Sequence, residues 1–172
     1  EFVSVGGEYE KSGIPVFKNK LKQGLKYAEE NNKPVLLDFT GINCYNCRRM
    51  ESNVWAESGV KEILSEQLVV VKLYVDQHDI QLNKKDQKSV TNHKGDKEIL
   101  ETIGQKWGHL QKDRYKTNSQ PYYRIVIPLE NGEFEDVPVG SADYENHNNK
   151  DIFKAWLEKG LKEYKKIMNS RN

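Results

Sequence analysis

The two cysteines of the sequence, Cys44 and Cys47, are the residues whose type and spacing best suit a chemical role. On a helix this spacing puts both sulfurs on one face about one turn apart, close enough to close a small disulfide ring. A disulfide scaffold is excluded, because such frameworks distribute several bridges over a small chain. All thiol chemistry of the chain is therefore concentrated in the segment Cys44-Tyr45-Asn46-Cys47.

The two cysteines are predicted to play different roles. The residues from Cys44 to Trp55 include no Gly or Pro, which predicts a helix that begins near the first cysteine. Free N–H groups and the positive end of the helix dipole stabilise a thiolate at that position. Cys44 is therefore the predicted nucleophile, which forms a mixed disulfide with a substrate. Cys47 is the predicted resolving residue, which displaces the substrate thiol.

A zinc site, a structural disulfide and two idle thiols are the alternatives for this pair. Zinc needs about four ligands. The four histidines of the sequence, His78, His93, His109 and His147, show no paired spacing such as His-x3-His. A structural bond across so short a loop would stabilise the fold little. A CxxC segment between two strand signals favours the redox role. Arg48 and Arg49 are interpreted as solvated side chains and are given no role.

Length, net charge and hydropathy limit the classes of protein to which this sequence can belong. A chain of 172 residues fits one domain, expected to cover 1–172 with an N-terminal extension at 1–16. The net charge of +1 gives no reason to expect a nucleic-acid partner. Apolar runs are only a few residues long, far below the ~20 that a bilayer requires. Any signal peptide or membrane anchor is expected to lie outside this sequence, which begins at Glu1 without the features of a leader.

Periodicity predicts the elements that must hold the cysteines. Apolar residues at steps of three or four predict a helix from Phe17 to Asn31. Continuous apolar runs predict buried strands over Pro34–Thr40 and Gln67–Asp76, which flank the cysteine helix. A short helix is predicted over Val60–Glu66.

The second half of the chain begins with a polar stretch, 77–96, which is interpreted as a surface insertion after the second core strand. A helix over Lys97–Leu110 follows. A hairpin comes next, with strands at Pro121–Pro128 and Glu133–Val139 and a type I′ turn at Asn131-Gly132. The final predicted helix, Asp151–Met168, carries one apolar stripe that includes Ile152. This order predicts an α/β three-layer sandwich, with a mixed central sheet and helices on both faces.

With these elements in place, the sequence resembles the thioredoxin superfamily. Asp38 lies in the strand six residues before Cys44, where thioredoxins carry a buried Asp. Lys72 falls at the position of the lysine that neighbours this Asp. Pro121 falls at the family's cis-proline, and the resemblance implies that it faces the cysteines. Gln120 would then present its backbone to a substrate chain, which can add as a short strand.

Asp38 also has a role that follows from its surroundings. A carboxylate in an apolar strand is costly to ionise, has a raised pKa and can accept the proton of Cys47 when that thiol becomes a nucleophile. The structural alternative is an Asp38 that is simply paired with Lys72. The proton-transfer role is favoured because perturbed acids cluster at functional sites.

Within the superfamily, several segments resemble the soluble domain of DsbD-type thiol:disulfide interchange proteins: Lys33–Phe39, the cysteine pair, Arg48, Glu51, Val54-Trp55 and Val60. This resemblance implies a disulfide reductase that acts on protein disulfides outside the cytoplasm, in the periplasm, as the soluble part of an anchored or secreted protein. It implies no organic cofactor, and an upstream thiol donor for which a membrane protein is a candidate.

The residues around the cysteines depart from the family pattern. Asn43 replaces a Trp, and Tyr45-Asn46 replaces the Gly-Pro of thioredoxin itself. Reduction potentials span about −270 to −120 mV across this superfamily and depend on such residues, so the direction of electron flow stays open. The alternatives are a disulfide oxidase or isomerase, or a non-catalytic module that binds a peptide or a metal.

Overall fold

The computed structural model describes residues 1–172 and has a seven-stranded mixed sheet at its centre. The strands of this sheet are β1 (Glu8–Tyr9), β2 (Pro15–Lys18), β3 (Val35–Thr40), β4 (Val69–Tyr74), β7 (Tyr122–Pro128), β8 (Phe134–Asp136) and β9 (Ala142–Asp143). A separate two-stranded sheet consists of β5 (Lys88–Thr91) and β6 (Lys97–Leu100).

Six helices surround the strands: α1 (Leu21–Glu30), α2 (Tyr45–Met50), α3 (Val60–Glu62), α4 (Ile103–Tyr115), α5 (Tyr144–His147) and α6 (Lys150–Ser170). The helix α2 continues as a π-helix over Glu51–Trp55, and α3 continues in the same way over Ile63–Gln67. No helix combines the length and the apolar character that crossing a bilayer requires.

The central strands β3 and β4 are parallel, and every residue of both is buried. They are rich in Val and Leu, as expected for strands that are covered on both faces. The sheet order is β1-β2-β4-β3-β7-β8, with β2 parallel to β4, β7 antiparallel to β3, and β9 also paired with β7. Helices lie on both faces, so the predicted three-layer α/β sandwich is confirmed.

Side-chain alternation along the strands divides the core into two layers. Leu36 belongs to the layer that contains Met50 of α2 and residues of α6, whereas Leu37 and Phe39 belong to the layer beneath α1 and α4. Asp38 has the same parity as Leu36. It therefore points into the layer that α2, the helix of the cysteines, covers.

The helix predicted from Phe17 is wrong at its beginning, because Phe17 lies in β2. Phe17 pairs with Val71 of β4, and the chain leaves the strand at Asn19, whose φ of 59° is left-handed. Helix α1 then begins at Leu21. Phe17 and α1 share the same core layer, so their apolar side chains mimic one helical stripe although they belong to two elements.

The helix predicted from Lys97 is also wrong at its beginning. Lys97–Leu100 pairs with Lys88–Thr91 as a hairpin, which extends the polar segment predicted at 77–96. Helix α4 begins after Thr102, whose hydroxyl accepts the Gln105 N–H in a capping box. Ile99 contributed to the helical spacing of apolar residues that predicted a helix from Lys97. It is 55% exposed in the structure, so its place in that spacing does not reflect packing in the core.

Three further predictions have clear outcomes. The hairpin of β7 and β8 is confirmed, and its turn has positive φ at both Asn131 (61°) and Gly132 (78°), as a type I′ turn requires. The final helix is confirmed as α6, which buries residues such as Phe153 and Leu157. Ile152, however, is 52% exposed and does not belong to its buried stripe.

Candidate redox site

The cysteine pair lies just beyond the end of β3, at the beginning of α2. The two side chains form a disulfide with an S–S distance of 2.09 Å and a Cα–Cα distance of 5.2 Å. Cys44 is the N-cap residue, and its Sγ accepts the Cys47 N–H at 3.2 Å. Cys44 is partly exposed, whereas Cys47 is 1% exposed. Only the first sulfur is therefore open to another molecule.

The loop that precedes the cysteines is held by Asp76, which lies two residues beyond the end of β4. One carboxylate oxygen accepts the Ile42 N–H at 2.7 Å, and the other accepts the Asn43 N–H at 3.1 Å. Any side chain at Gly41 would press on this carboxylate, since an added Cβ would lie 3.1 Å from its oxygen and 3.3 Å from the Cys44 Cβ. Asp76 was assigned no role from the sequence. The available signal was an acid two residues after β4, a buried strand parallel to β3.

Asp38 is 1% exposed, and neither of its carboxyl oxygens has a hydrogen-bond partner. It lies in register with Lys72 on β4 and with Tyr123 on β7. Burial raises the pKa of Asp38 from 3.8 to about 8, and the positive charge of Lys72 offsets only part of this effect. The carboxyl group therefore holds a proton at neutral pH.

The ammonium of Lys72 binds two other carboxylates. Its Nζ lies 2.6 Å from Glu10 Oε1 and 3.1 Å from Glu51 Oε2. Burial works against the charged form of Lys72, but Asp38 and Glu51 outweigh it, and the pKa of Lys72 is raised. Lys72 forms no ion pair with Asp38, so the simple Asp38–Lys72 pairing considered from the sequence is wrong.

Arg48 connects the cysteine helix to the end of β3. Its Nη2 donates to Thr40 Oγ1 and to Glu51 Oε2, both at 3.0 Å. Glu51 thus receives both Arg48 and Lys72 on one oxygen. The interpretation of Arg48 as a merely solvated side chain is wrong. Its spacing of three residues from Glu51 on a helix was the available signal.

Pro121 lies at the same end of the sheet as the cysteine loop. It is buried, its peptide bond with Gln120 is cis, and Tyr122 immediately after it pairs with Phe39 near the end of β3. The register therefore brings the segment before β7 to the edge from which the chain leaves β3 toward Cys44.

Gln111, a fully buried residue of α4, holds the segment before Pro121 in place. Its Nε2 donates to the Ser119 carbonyl at 2.8 Å, and its Oε1 accepts from Gln120 Nε2 at 2.8 Å. The Gln120 side chain also donates to the Asn118 carbonyl at 2.9 Å. Sequence reasoning missed Gln111, because an amide in a helix gives no signal of what it will contact.

The rim of the site is exposed and aromatic. Tyr45 is 72% exposed, and Asn46 beside it is also exposed. The Arg49 guanidinium lies 5.5 Å from the ring centroids of both Tyr45 and Tyr144, within cation–π distance. Arg49 is exposed, as predicted, and its guanidinium also lies beside these two rings.

No group of three or more His, Cys, Asp or Glu side chains lies together in an arrangement that could hold a metal ion. The chemistry that these residues support is thiol chemistry at Cys44 and Cys47, with an unpaired carboxyl group on the same side of the sheet.

Comparisons with known proteins agree with this geometry. Residues 16–95 match a family model described as Thioredoxin-like. A thioredoxin from Thermus thermophilus has a similar structure, with a TM-score of 0.52 and 20% identity over 80% of each chain. A DsbH oxidoreductase has a TM-score of 0.53 and 19% identity, over 81% of this chain and 80% of the other. No curated protein sequence matches the chain.

At 19–20% identity, the similarity to these two structures shows the fold alone. The family model adds a match at the level of sequence. The chain therefore has a thioredoxin-like fold, and its residues 16–95 match the Thioredoxin-like family model. With its disulfide-bonded CxxC pair at the beginning of α2, this fold has the reactive group of a thiol-disulfide oxidoreductase.

Proposed function

We propose that this protein is a protein-disulfide reductase, in which Cys44 attacks the substrate and Cys47 resolves the mixed disulfide. The proposal rests on the asymmetry of the pair: Cys44 is partly exposed, whereas Cys47 is buried on α2, the helix that covers the core layer into which the unpaired Asp38 points. An exposed sulfur suits contact with a second protein, and a buried sulfur suits an attack that must remain internal.

In the first step, the Cys44 thiolate attacks one sulfur of a substrate disulfide. The substrate S–S bond breaks, a mixed disulfide forms on Cys44, and the other substrate sulfur leaves as a thiolate that takes a proton from solvent. The position of Cys44 at the beginning of α2 supports this role, because helix N–H groups stabilise the attacking thiolate.

In the second step, Cys47 loses its proton to the Asp38 carboxylate and attacks the Cys44 sulfur. The mixed disulfide breaks, the Cys44–Cys47 bond forms, and the second substrate thiolate leaves and is protonated. Two electrons pass from the dithiol to the substrate. Because its pKa is about 8, Asp38 is ionised in a minority of molecules at neutral pH, so this step accelerates as the pH rises.

Pro121 and Gln120 are proposed to receive the substrate chain. Their segment lies at the sheet end next to the cysteine loop, and the buried Gln111 fixes its backbone. An extended peptide could then add beside Gln120 through main-chain hydrogen bonds. Tyr45 and Asn46, exposed next to Cys44, are proposed to contact the same substrate and to influence the reduction potential.

The proposal extends to the setting of the reaction. Protein disulfides persist in oxidising compartments, which favours a site of action outside the cytoplasm, such as the periplasm. Each turnover leaves the Cys44–Cys47 disulfide, so an upstream thiol donor must reduce it again. The DsbD-type resemblance makes a membrane protein the candidate donor. The dithiol supplies the electrons in this cycle, so no organic cofactor is required.

The potential of the pair tests the direction of electron flow. The protein is equilibrated with glutathione buffers, the fraction of Cys44–Cys47 disulfide is measured, and reduction of a model protein disulfide is assayed alongside. A potential near that of thioredoxin, about −270 mV, supports a reductase. A potential near −120 mV, as in the strongest oxidants of the superfamily, would instead favour the oxidase alternative. Equal reduction by wild type, Cys44→Ser and Cys47→Ser would refute catalysis by this pair.

A further inference from the structure

Glu10 reaches the buried site from the N-terminal part of the chain. It lies in the connection between β1 and β2, where its N–H donates to the Ile14 carbonyl at 2.9 Å. Its Oε1 lies 2.6 Å from Lys72 Nζ, and its Oε2 lies 3.4 Å from Lys18 Nζ. Glu10 precedes the residues matched by the family model, so that match assigns it nothing.

The contacts of Lys72 explain why Asp38 has no partner. The Lys72 side chain is 2% exposed, and its ammonium binds Glu10 and Glu51. It also lies 5.6 Å from the ring centroid of Trp55 and 5.4 Å from that of Tyr74. Lys72 is the direct neighbour of Asp38 in the sheet register, yet the carboxyl oxygens of Asp38 accept no hydrogen bond.

We propose that Glu10 is a positioning residue of the redox site, which holds the Lys72 ammonium away from Asp38 and so leaves the Asp38 carboxyl free to carry a proton. The importance of that proton for catalysis rests on the proposed function. The arrangement itself rests on the contacts of Glu10, Lys72 and Asp38 alone.

The groups around Asp38 all come from four elements. Lys72 comes from β4, Arg48 and Glu51 from the cysteine helix, Glu10 from the β1–β2 connection and Tyr123 from β7. Burial raises the pKa of Tyr123, so this phenol stays neutral.

Glu10 is the carboxylate that lies closest to the Lys72 ammonium, although the charge of Glu51 raises the pKa of Asp38 more than the charge of Glu10 does. The negative charge of Glu51 is already shared between Lys72 and Arg48. Glu10 makes the shorter contact with Lys72, and its other cation, Lys18, is partly exposed. Without Glu10, the Lys72 ammonium loses its closest carboxylate partner, and one negative charge near Asp38 disappears. Both changes favour the ionised form of Asp38.

The chain offers a matched control in Glu8, which lies on the same hairpin. Glu8 approaches Lys18 at 3.7 Å and makes no ion pair with Lys72. Glu10→Gln and Glu8→Gln are therefore compared in the oxidised protein, with the titration of Asp38 followed by carboxyl ¹³C NMR. We expect Glu10→Gln to reduce the proton affinity of Asp38 tenfold or more and Glu8→Gln to leave it unchanged.

Two additional variants separate positioning from a general charge effect. Glu10→Asp keeps the charge but shortens the side chain, and it should also reduce the proton affinity of Asp38, by less than Glu10→Gln does. In a Lys72→Met background there is no ammonium to position, so Glu10→Gln should change the titration much less. An Asp38 titration that is the same in wild type, Glu10→Gln and Glu10→Asp would overturn the proposal.

This measurement needs no substrate, so its failure is distinct from failure of the proposed function. If wild type reduces disulfides but the Asp38 titration is unchanged in the Glu10 variants, only the positioning role is wrong. If wild type and the cysteine variants are equally inactive, the proposed function is wrong whatever the titration shows. If both hold, the pH profile of the resolving step moves to lower pH in Glu10→Gln and stays in place in Glu8→Gln.

Discussion

Asp38 and Lys72 occupy paired positions on adjacent parallel strands and nevertheless form no ion pair. Lys72 instead binds Glu10 and Glu51, and the Asp38 carboxyl remains buried without a partner. A carboxyl group with its pKa near 8 can take up and release a proton in the neutral range, which one held in a close ion pair cannot do. This separation is what allows Asp38 to act as the proton acceptor in the proposed mechanism.

Replacing Asp38 should change how stability depends on pH. In the unfolded chain Asp38 loses its proton near 3.8, whereas in the folded protein it keeps the proton up to about pH 8. Between these values the folded state binds one more proton, so the contribution of Asp38 to the free energy of unfolding falls as pH rises. The free energy of unfolding of Asp38→Asn, relative to that of wild type, should therefore rise by about 1.4 kcal/mol per pH unit between roughly pH 5 and pH 7.

Urea unfolding of wild type and Asp38→Asn across this range provides the measurement, with Asp113→Asn as an exposed control. The control should follow wild type at every pH. Parallel pH profiles for wild type and Asp38→Asn would show that the buried carboxyl is not protonated in the folded state.

Removal of the Lys72 ammonium should destabilise the fold strongly. Lys72→Met removes the buried cation that Glu10 and Glu51 share and leaves them only the partly exposed Lys18 and Arg48 as partners. We expect the free energy of unfolding to fall by about 3 kcal/mol, the lower end for a broken buried pair, because both carboxylates retain some exposure. Lys18→Met removes a partly exposed partner of Glu10 and should cost less than about 1 kcal/mol. Equal losses in the two variants, measured by urea unfolding, would contradict this distinction.

Asp76 should matter more for catalysis than for stability. Asp76→Ala removes the acceptors of the Ile42 and Asn43 N–H groups, and water can replace them because this loop is exposed. The loop that aims Cys44 loses its support, and we expect disulfide reduction to slow by about tenfold to a hundredfold. Asp79→Ala alters an exposed neighbour and serves as the control in the same kinetic assay. A normal rate in Asp76→Ala would exclude a positioning role for this carboxylate.

Gln111 should affect large substrates selectively. Gln111→Met keeps a side chain of similar length but breaks the hydrogen bonds to Ser119 and Gln120. The segment before Pro121 then loses its fixed backbone, and we expect KM for a protein disulfide to rise about tenfold, equivalent to about 1.4 kcal/mol. A small aromatic disulfide, which has no peptide chain to dock beside Gln120, should be reduced at the normal rate. The exposed Gln67→Met is the control, and equal effects on both substrates would argue against a docking role.

The sequence predicted the parts of this fold that leave a local pattern. The buried strands β3 and β4 are continuous apolar runs, and the apolar stripe of α6 follows the helical period over many residues. The CxxC spacing and the single Asp38 in an apolar strand also stand out without any structural context. These features locate the site.

The residues that tune the site leave no such pattern. Glu10 and Lys72 are 62 positions apart in sequence and meet only because β1 and β2 join the edge of the sheet beside β4. In the sequence, Gln111 is simply one polar residue of a helix, and only the folded structure shows its hydrogen bond to the Ser119 carbonyl. Phe17 was assigned to a helix because two elements that share a core layer can produce the same apolar spacing. Only the tertiary arrangement separates these cases.

Trapping the mixed disulfide distinguishes the roles of Cys44 and Cys47. Reduced Cys47→Ser and Cys44→Ser are each incubated with a protein disulfide, and the covalent adducts are identified by mass spectrometry after digestion. We predict that Cys47→Ser accumulates a stable adduct through Cys44, because the partly exposed sulfur attacks and the resolving thiol is absent. Cys44→Ser, with only the buried thiol, should form almost none. An adduct formed equally well through Cys47, or none in either variant, would contradict the account.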